Sequence, residues 1–274
     1  MADKSILITG CSSGIGEASA QGMQARGWRV FATARKASDI KRLEGRGLEV
    51  FHLDYTDEAS IGACAGEVLK LTGGRLDALF NNGAYGQPGA VEDLRTDVLR
   101  AQFEANFFGW HELTRHIIPA MRRNGHGRIV QCSSCLGLVS LKYRGAYNAS
   151  KFALEALTDA LRQELTGSGI DVSLIEPGPI ATRFGQHALE AYRANIDLKN
   201  TPHADIYATR MAAMENSKPS RWRLGPDAVF QKLVHAVEST RPKPRYFVTL
   251  PTYMLEAGRR LLTTRGLDRM IAGE

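Results

Sequence analysis

Within the first 26 residues an apolar run, a glycine-rich turn and a helical pattern follow one another without a break. Residues 5–9 read as a buried strand, and residues 17–26 carry a helical pattern that stops at Gly27. Between them stand Gly10, Ser12, Ser13, Gly14, Ile15 and Gly16. Glycines at this spacing let the backbone approach a ligand, and a helix start presents unpaired N–H groups to a pyrophosphate. A tight turn without a ligand would use the same glycines. Their place between a strand and a helix favours dinucleotide binding.

The alternation continues along the chain. Apolar runs at 28–33, 48–53, 76–80, 128–132, 170–175 and 245–249 read as six further strands, with helical patterns between most of them. One is a long amphipathic helix over 97–123. The expectation is an α/β fold: a doubly wound, parallel, seven-stranded Rossmann sheet with helices on both faces. With 274 residues, 43% of them hydrophobic, and no repeat or composition break, the chain reads as a single domain over 1–274. Two stretches stand apart. Residues 183–225 lose periodicity after a possible helix at 186–195 and carry Phe184, Tyr192, Tyr207, Met211, Met214 and Trp222, which suggests a substrate lid. Residues 251–274 mix Met254, Leu255, Leu261, Leu262 and Met270 with Arg259, Arg260, Arg265 and Arg269, an amphipathic extension. Such a helix docks on its own domain or a partner subunit more often than on a membrane surface.

Charge and cysteine usage narrow the function. A net charge of +6, spread along the chain, suits an anionic ligand and argues against a dedicated nucleic-acid binder. No apolar run approaches the ~18 residues of a membrane-spanning helix. A strand begins so soon after Met1 that no room is expected for a leader. Cys11, Cys64, Cys132 and Cys135 then read as reduced thiols of a cytoplasmic protein. Cys132 and Cys135 form a C-x-x-C pair, but no second pair or spaced histidine joins them, and no metal site is expected.

Candidate chemistry concentrates downstream. Tyr147 and Lys151 stand four apart in a helix-forming run, which puts phenol and ammonium on one face, one turn apart. A nearby ammonium favours the phenolate, which would make tyrosine a usable acid or base. Ser134 follows the fifth strand and could bond a substrate oxygen beside that phenol. Asn82 and Gly83 stand at the end of the fourth strand, where open α/β sheets hold ligands, and Asn106 is a polar residue inside an apolar helix. Asp54 at the third strand's end has two readings: an acceptor for an adenine amino group, or a helix cap together with Thr56 and Asp57. Past the sixth strand, Pro177 and Gly178 leave the sheet edge and Thr182 offers a hydroxyl. At the end of the second strand Ala34 is neutral and Arg35 and Lys36 follow. NAD-binding proteins carry a carboxylate there, whereas a guanidinium can grip a 2′-phosphate, so NADP(H) is expected ahead of NAD(H).

Taken in order, Thr9, Gly10, Gly14, Ile15 and Gly16, then Asn81 to Ala84, Asn106, Ser134, Tyr147 with Lys151, and Pro177 with Gly178 resemble the motif set of the short-chain dehydrogenase/reductase family. The likeness runs from Thr9 to about Thr182, and its softer features are similar to the branch of 17β-hydroxysteroid and retinol dehydrogenases and bacterial aldehyde reductases. One departure is Asn-Asn-Gly-Ala where the family usually has Asn-Asn-Ala-Gly. The resemblance implies carbonyl–alcohol interconversion on an apolar small molecule such as a steroid, retinoid or medium-chain aldehyde. It implies that Tyr147 moves the proton, Lys151 lowers its pKa and holds the nicotinamide ribose, Ser134 polarises the substrate oxygen, Asn106 holds a water, and Thr182 binds the carboxamide. It also implies a homodimer or homotetramer paired through the two long helices. The competing reading is a catalytically silent dinucleotide sensor or scaffold. Such a protein should lack one or more of Asn106, Ser134, Tyr147 and Lys151, and all four are present.

Overall fold

The structure is a computed structural model that describes residues 4–216 and 221–272. Residues 1–3, positions 217–220 of the expected lid and the last two of the expected extension lie outside the described residues. In chain order the elements are β1 (Ser5–Ile8), α1 (Gly14–Ala25), β2 (Arg29–Ala34), α2 (Ala37–Glu44), β3 (Glu49–His52), α3 (Glu58–Leu71) and β4 (Ala78–Asn81). Then come α4 (Thr96–Phe103), α5 (Gly109–Asn124), β5 (Gly127–Cys132), α6 (Gly145–Glu164) and β6 (Ile170–Glu176). The chain closes with α7 (Phe184–Asn195), α8 (Ala204–Glu215), α9 (Asp227–Glu238), β7 (Arg245–Phe247), α10 (Leu250–Leu261) and α11 (Thr264–Ile271).

All seven strands join one parallel sheet in the order β3-β2-β1-β4-β5-β6-β7. The order reverses between β1 and β4, which opens a crevice at their carboxyl ends. Period-two alternation sends β1 side chains to both faces. Ile6 and Ile8 pack with Ala20 and Met23 of α1 and Val229 and Leu233 of α9, while Leu7 packs with Ile61 and Val68 of α3 and Leu113 and Ile117 of α5. Both faces are therefore covered, as a parallel sheet requires. The expected sheet and its doubly wound helices are present.

Three differences from the sequence reading have local causes. The long helix expected over 97–123 is two helices joined by a π-helical turn, Glu104–Phe108, which contains Asn106. Such turns arise where one residue's side chain is redirected, often at a functional site. The region after 195, where the sequence shows no clear periodicity, holds a second helix, α8; its hydrophobic pattern is weak because only Tyr207 is fully buried on it. The carboxyl-terminal extension is two helices, α10 and α11, broken where Leu262 and Thr263 turn extended. Among the described residues, no helix is long and apolar enough to cross a membrane.

Candidate active site

The glycine-rich loop is folded tightly enough to need its glycines. Gly10 and Gly14 have φ of +67° and +59°, and a Cβ on Gly10 would collide with the Gly83 backbone. A Cβ on Gly16 would strike the Gly10 carbonyl, so α1 starts directly against β1. Ser13 precedes α1 but gives it no side-chain cap, which leaves the first-turn N–H groups to an external anion. Two arginines that the sequence did not single out brace this loop: Arg42 and Arg183 donate to the Ser12 carbonyl at 2.7 and 2.9 Å. Arg42 and Arg46 also hold Glu17 at 2.6 Å each, which neutralises an acid standing where an anion would bind.

Thr9 ties the loop to the end of β4. Its hydroxyl oxygen accepts from the backbone N–H of Asn82 and Gly83 at 2.8 and 3.2 Å, and lies 2.7 Å from the Tyr55 hydroxyl. The Asn82 amide donates back to the Thr9 carbonyl at 3.0 Å. Gly83 sits where a Cβ would come within 3.2 Å of Gly10 Cα. Having glycine rather than alanine at 83 thus relaxes the closest backbone approach in the crevice. Asn106, fully buried on the π turn, clamps the same loop: its Oδ1 accepts from Tyr85 N at 3.2 Å and its Nδ2 donates to Tyr85 O at 2.8 Å. Each end of that amide keeps one hydrogen or lone pair in reserve.

Across the crevice, β5 and α6 bring Ser134, Tyr147 and Lys151 together, all three buried. Ser134 caps the turn Cys135–Gly137, accepting from Leu136 N at 3.1 Å, and its hydroxyl faces the Tyr147 phenol and favours the phenolate. Lys151 donates to the Cys132 carbonyl at 2.8 Å, with its Nζ 4.2 Å from the Trp110 ring centre. Burial pulls the Lys151 ammonium down to about 8, against smaller upward pulls from Cys132 and Glu155. Burial also pushes the Tyr147 phenol well up, partly offset by Ser134 and by the Arg144 guanidinium. The sequence reading expected Lys151 to lower this phenol. In the structure the ammonium points at Cys132, 5.8 Å from the Tyr147 ring centre, and burial dominates.

The remaining predicted residues fall at the two ends of the crevice. Arg35 and Asp54 face each other at 4.0 Å at the ends of β2 and β3. Asp54 accepts from Thr56 N at 3.0 Å and Thr56 Oγ1 at 2.9 Å, while the cap of α3 is Asp57, accepting from Ala59 N at 2.9 Å. At the other end the Pro177 carbonyl accepts from Cys135 N at 2.9 Å, and Gly178 has no room for a side chain against Thr249 and Thr252 at the start of α10. Thr182 packs on Gly14, so that the segment leading to α7 begins at the glycine-rich loop. From α7, Phe184 lays its ring edge-on to Tyr147 with centroids 5.3 Å apart. The sequence places Phe184 in the expected lid without its contact to Tyr147, while Arg144 and the position of Trp110 against Lys151 had no motif to signal them. None of the four cysteines is in a disulfide, and no metal-binding group of side chains occurs among the described residues.

This arrangement offers a buried proton donor, a hydroxyl beside it, a lysine poised near neutrality and an anion cradle in one crevice. A family model described as short chain dehydrogenase matches residues 4–193. An uncharacterized oxidoreductase of Escherichia coli (strain K12), YbbO, is 44% identical over 271 residues, covering 98% of this chain and 94% of that protein. An NADPH-dependent 3-dehydrocapnine reductase of Ornithobacterium rhinotracheale is 32% identical over 96% of this chain and 94% of its own length. Human retinol dehydrogenase 8 is 33% identical over 89% of this chain and 81% of its own length. The crystal structure of a short-chain dehydrogenase from Streptomyces avermitilis superposes with a TM-score of 0.81 at 30% identity, covering all of this chain and 95% of that one.

Proposed function

The chain belongs to the short-chain dehydrogenase/reductase family of enzymes, and on that premise we propose that it is an NADP(H)-dependent carbonyl reductase with Tyr147 as general acid. One observation carries this reading: the buried Ser134–Tyr147 pair with Lys151 one helical turn away, opposite an uncapped glycine-loop helix. Burial keeps the Tyr147 phenol protonated at neutral pH, which is the form that reduction of a carbonyl consumes.

Gly10, Ser12, Ser13, Gly14, Ile15 and Gly16 hold the pyrophosphate of the dinucleotide. Asn82, Gly83, Pro177, Gly178 and Thr182 line its nicotinamide half. When bound, the nicotinamide supplies the hydride in reduction and accepts it in the reverse direction. Ser134 hydrogen-bonds the substrate oxygen, and Tyr147 delivers a proton to it as negative charge develops there. Lys151 holds the ribose and, being close to neutrality, returns a proton to the phenol. Asn106 fixes the Tyr85 loop and keeps hydrogen-bonding capacity for a water that feeds Lys151.

Arg35 and the neutral Ala34 support a preference for NADP(H), with Asp54 beside the adenine, and the NADPH-dependent relative is in keeping with it. The segment from α7 to α8 serves as the lid, and Phe184 on Tyr147 supports an apolar substrate body. Exposed Phe108 and Phe152 on the helices carrying Asn106 and Tyr147 support a homodimer at least. Oxidation of NADPH by the purified protein with decanal, retinal and a steroid ketone tests the reading. Turnover with at least one is expected, and loss of that turnover in Tyr147→Phe. No turnover of NADPH or NADH with any carbonyl, despite cofactor binding, would leave a dinucleotide-binding scaffold instead.

A further inference from the structure

Three residues before Tyr147 stands an arginine with nothing to hold. Arg144 is the residue just before α6, and its guanidinium is close enough to the Tyr147 phenol to favour the phenolate. The half-buried arginines Arg128 and Arg245 hold Asp171 and a set of three carboxylates. Arg144 is half-buried yet has no ion pair and no side-chain hydrogen bond among the described residues. Its charged neighbour is another cation, Arg210 of α8, and burial together with Arg210 lowers its hold on its proton. Two half-buried cations brought together without a counter-ion repel each other. An anion placed there would relieve both burial and repulsion.

A second orphan lies beside it. The Tyr192 hydroxyl of α7 is buried, with the residue 1% exposed, and finds no hydrogen-bond partner. Tyr192 is in electrostatic contact with both Arg144 and Arg210. The backbone is arranged to keep Arg144 in place. Tyr143 has φ of +61°, the one non-glycine residue with positive φ among those described, and its carbonyl is fixed by Gly89 N at 3.1 Å. Next to it opens a cavity of about 510 Å³ whose walls include Lys142, Tyr143 and His203. The carboxylate at that cavity, Glu92, is already held by His203 at 2.6 Å. Arg144 lies beside the phenol of Tyr147 and the lid-helix residues Tyr192 and Arg210, on the α6 side of the crevice. It therefore serves the substrate side of the crevice.

We propose that Arg144, with the Tyr192 hydroxyl and Arg210 behind it, is a receptor for an oxoanion carried by the substrate a few bonds from the carbonyl. This rests on the reductase reading above and adds to it: the substrate is an amphiphilic acid, with an apolar body against Phe184 and a carboxylate, sulfonate or phosphate on Arg144. The planar guanidinium takes two oxygens of such a group, and the tyrosine hydroxyl supplies a third donor.

The test compares a ten-carbon γ-keto acid with its methyl ester, using the full chain and NADPH. The acid should have the higher kcat/KM by about ten-fold or more in wild type. Arg144→Gln and Tyr192→Phe should shrink the acid-to-ester ratio, the first to about one, whatever common change in kcat they bring. Arg144→Lys should restore part of it. Equal values for acid and ester in wild type overturn the proposal, as does a preference that survives in Arg144→Gln. Sulfate that blocks the ester competitively without any preference for the acid also overturns it, since the site would then take free anions. Binding of decanoate and of methyl decanoate to the NADP⁺-loaded protein is read separately. Tighter binding of decanoate, lost in Arg144→Gln, supports the receptor even if neither keto compound is reduced, and that pattern would sink the reductase reading alone.

Discussion

The two ends of the crevice are built from opposite materials. At the ends of β2 and β3, Arg35 is 66% exposed and meets Asp54 only at 4.0 Å, in water. At the ends of β4 and β5, Asn106, Lys151 and Tyr147 are 0%, 1% and 8% exposed, with Asn106 bonded to Tyr85, Lys151 to the Cys132 carbonyl and Tyr147 beside Ser134. An exposed ion pair contributes about 0–1 kcal/mol, because solvent screens it. In the dry end burial is the largest influence on both titrating groups, and it favours the uncharged form of each. On the proposed reading, recognition of the cofactor's far end is set where substitutions are tolerated, and proton transfer where they are not.

Removing the donor from the dry end should have the largest effect. Tyr147→Phe keeps the ring and its packing on Phe184 but takes away the proposed proton, so kcat for carbonyl reduction should drop by roughly 10³-fold, within the range for a lost general acid. Cofactor affinity, measured by fluorescence titration of NADPH, should stay within a few-fold. Retention of most turnover would show that another group moves the proton. Next in size is the pH response of Lys151. Its ammonium, at about 8, is charged below that pH and lost above it. The value of kcat/KM for reduction should therefore be level near pH 6–7 and fall about ten-fold per unit once past 8. Tyr147, pushed far higher, stays protonated throughout that window. A flat profile from pH 7 to 9.5 would break the claim that the dry end sets the proton chemistry.

The two ends also differ in how far the sequence revealed them. The sheet and the glycine loop were legible because parallel strands are continuous apolar runs and because Gly10, Gly14 and Gly16 have no substitutes at their close approaches. Tyr147 and Lys151 were legible from helical spacing. Their environment was not, since it comes from residues far away in sequence: Trp110 under the lysine and Phe184 on the tyrosine. The π turn was foreshadowed only by a misplaced Asn106, and α8 was hidden because it buries so little. For Asp54, the sequence left a cap and an adenine contact equally open. The structure gives the cap to Asp57 and turns Asp54 toward Thr56 and Arg35.

At the wet end the expected effect is smaller and concerns selectivity. Ala34→Asp combined with Arg35→Ala places a carboxylate where the 2′-hydroxyl of NADH would meet it and removes a guanidinium suited to a 2′-phosphate. The ratio of kcat/KM for NADPH over NADH should fall by about ten-fold or more, since charge-assisted hydrogen bonds contribute about 1.5–3 kcal/mol each. Thermal stability should hardly move, because Arg35 is exposed and its pairing with Asp54 is loose. Ser13, uncharged in the glycine loop, offers no second cation to hold the preference up. A wild-type preference for NADH would remove Arg35 from cofactor selection.

The smallest effect belongs to a charge cluster below the dry end, and it concerns stability alone. Arg245 on β7 is shared by Glu155 and Asp159 of α6 and Glu176 of β6. One guanidinium does not balance three carboxylates, and Glu176 Oε2 is buried without a partner. Burial first, and then the neighbouring Glu155, push the Glu176 carboxyl up to about 8. The sign follows from linkage: the folded protein keeps a proton on Glu176 at pH values where the unfolded chain has released it. This group's stabilising share is complete below the ordinary glutamate range and is lost as pH rises toward about 8. Glu176→Gln keeps the shape and a hydrogen-bonding end while having no proton to lose. Its Tm relative to wild type should therefore rise between pH 5 and pH 8, by roughly 2–4 °C for each kcal/mol involved in a chain of this size. The measurement is a pair of melting series at matched ionic strength. If the variant instead loses ground as pH rises, Glu176 is ionised in a productive pair with Arg245, and the dry end accommodates full charge better than its burial implies.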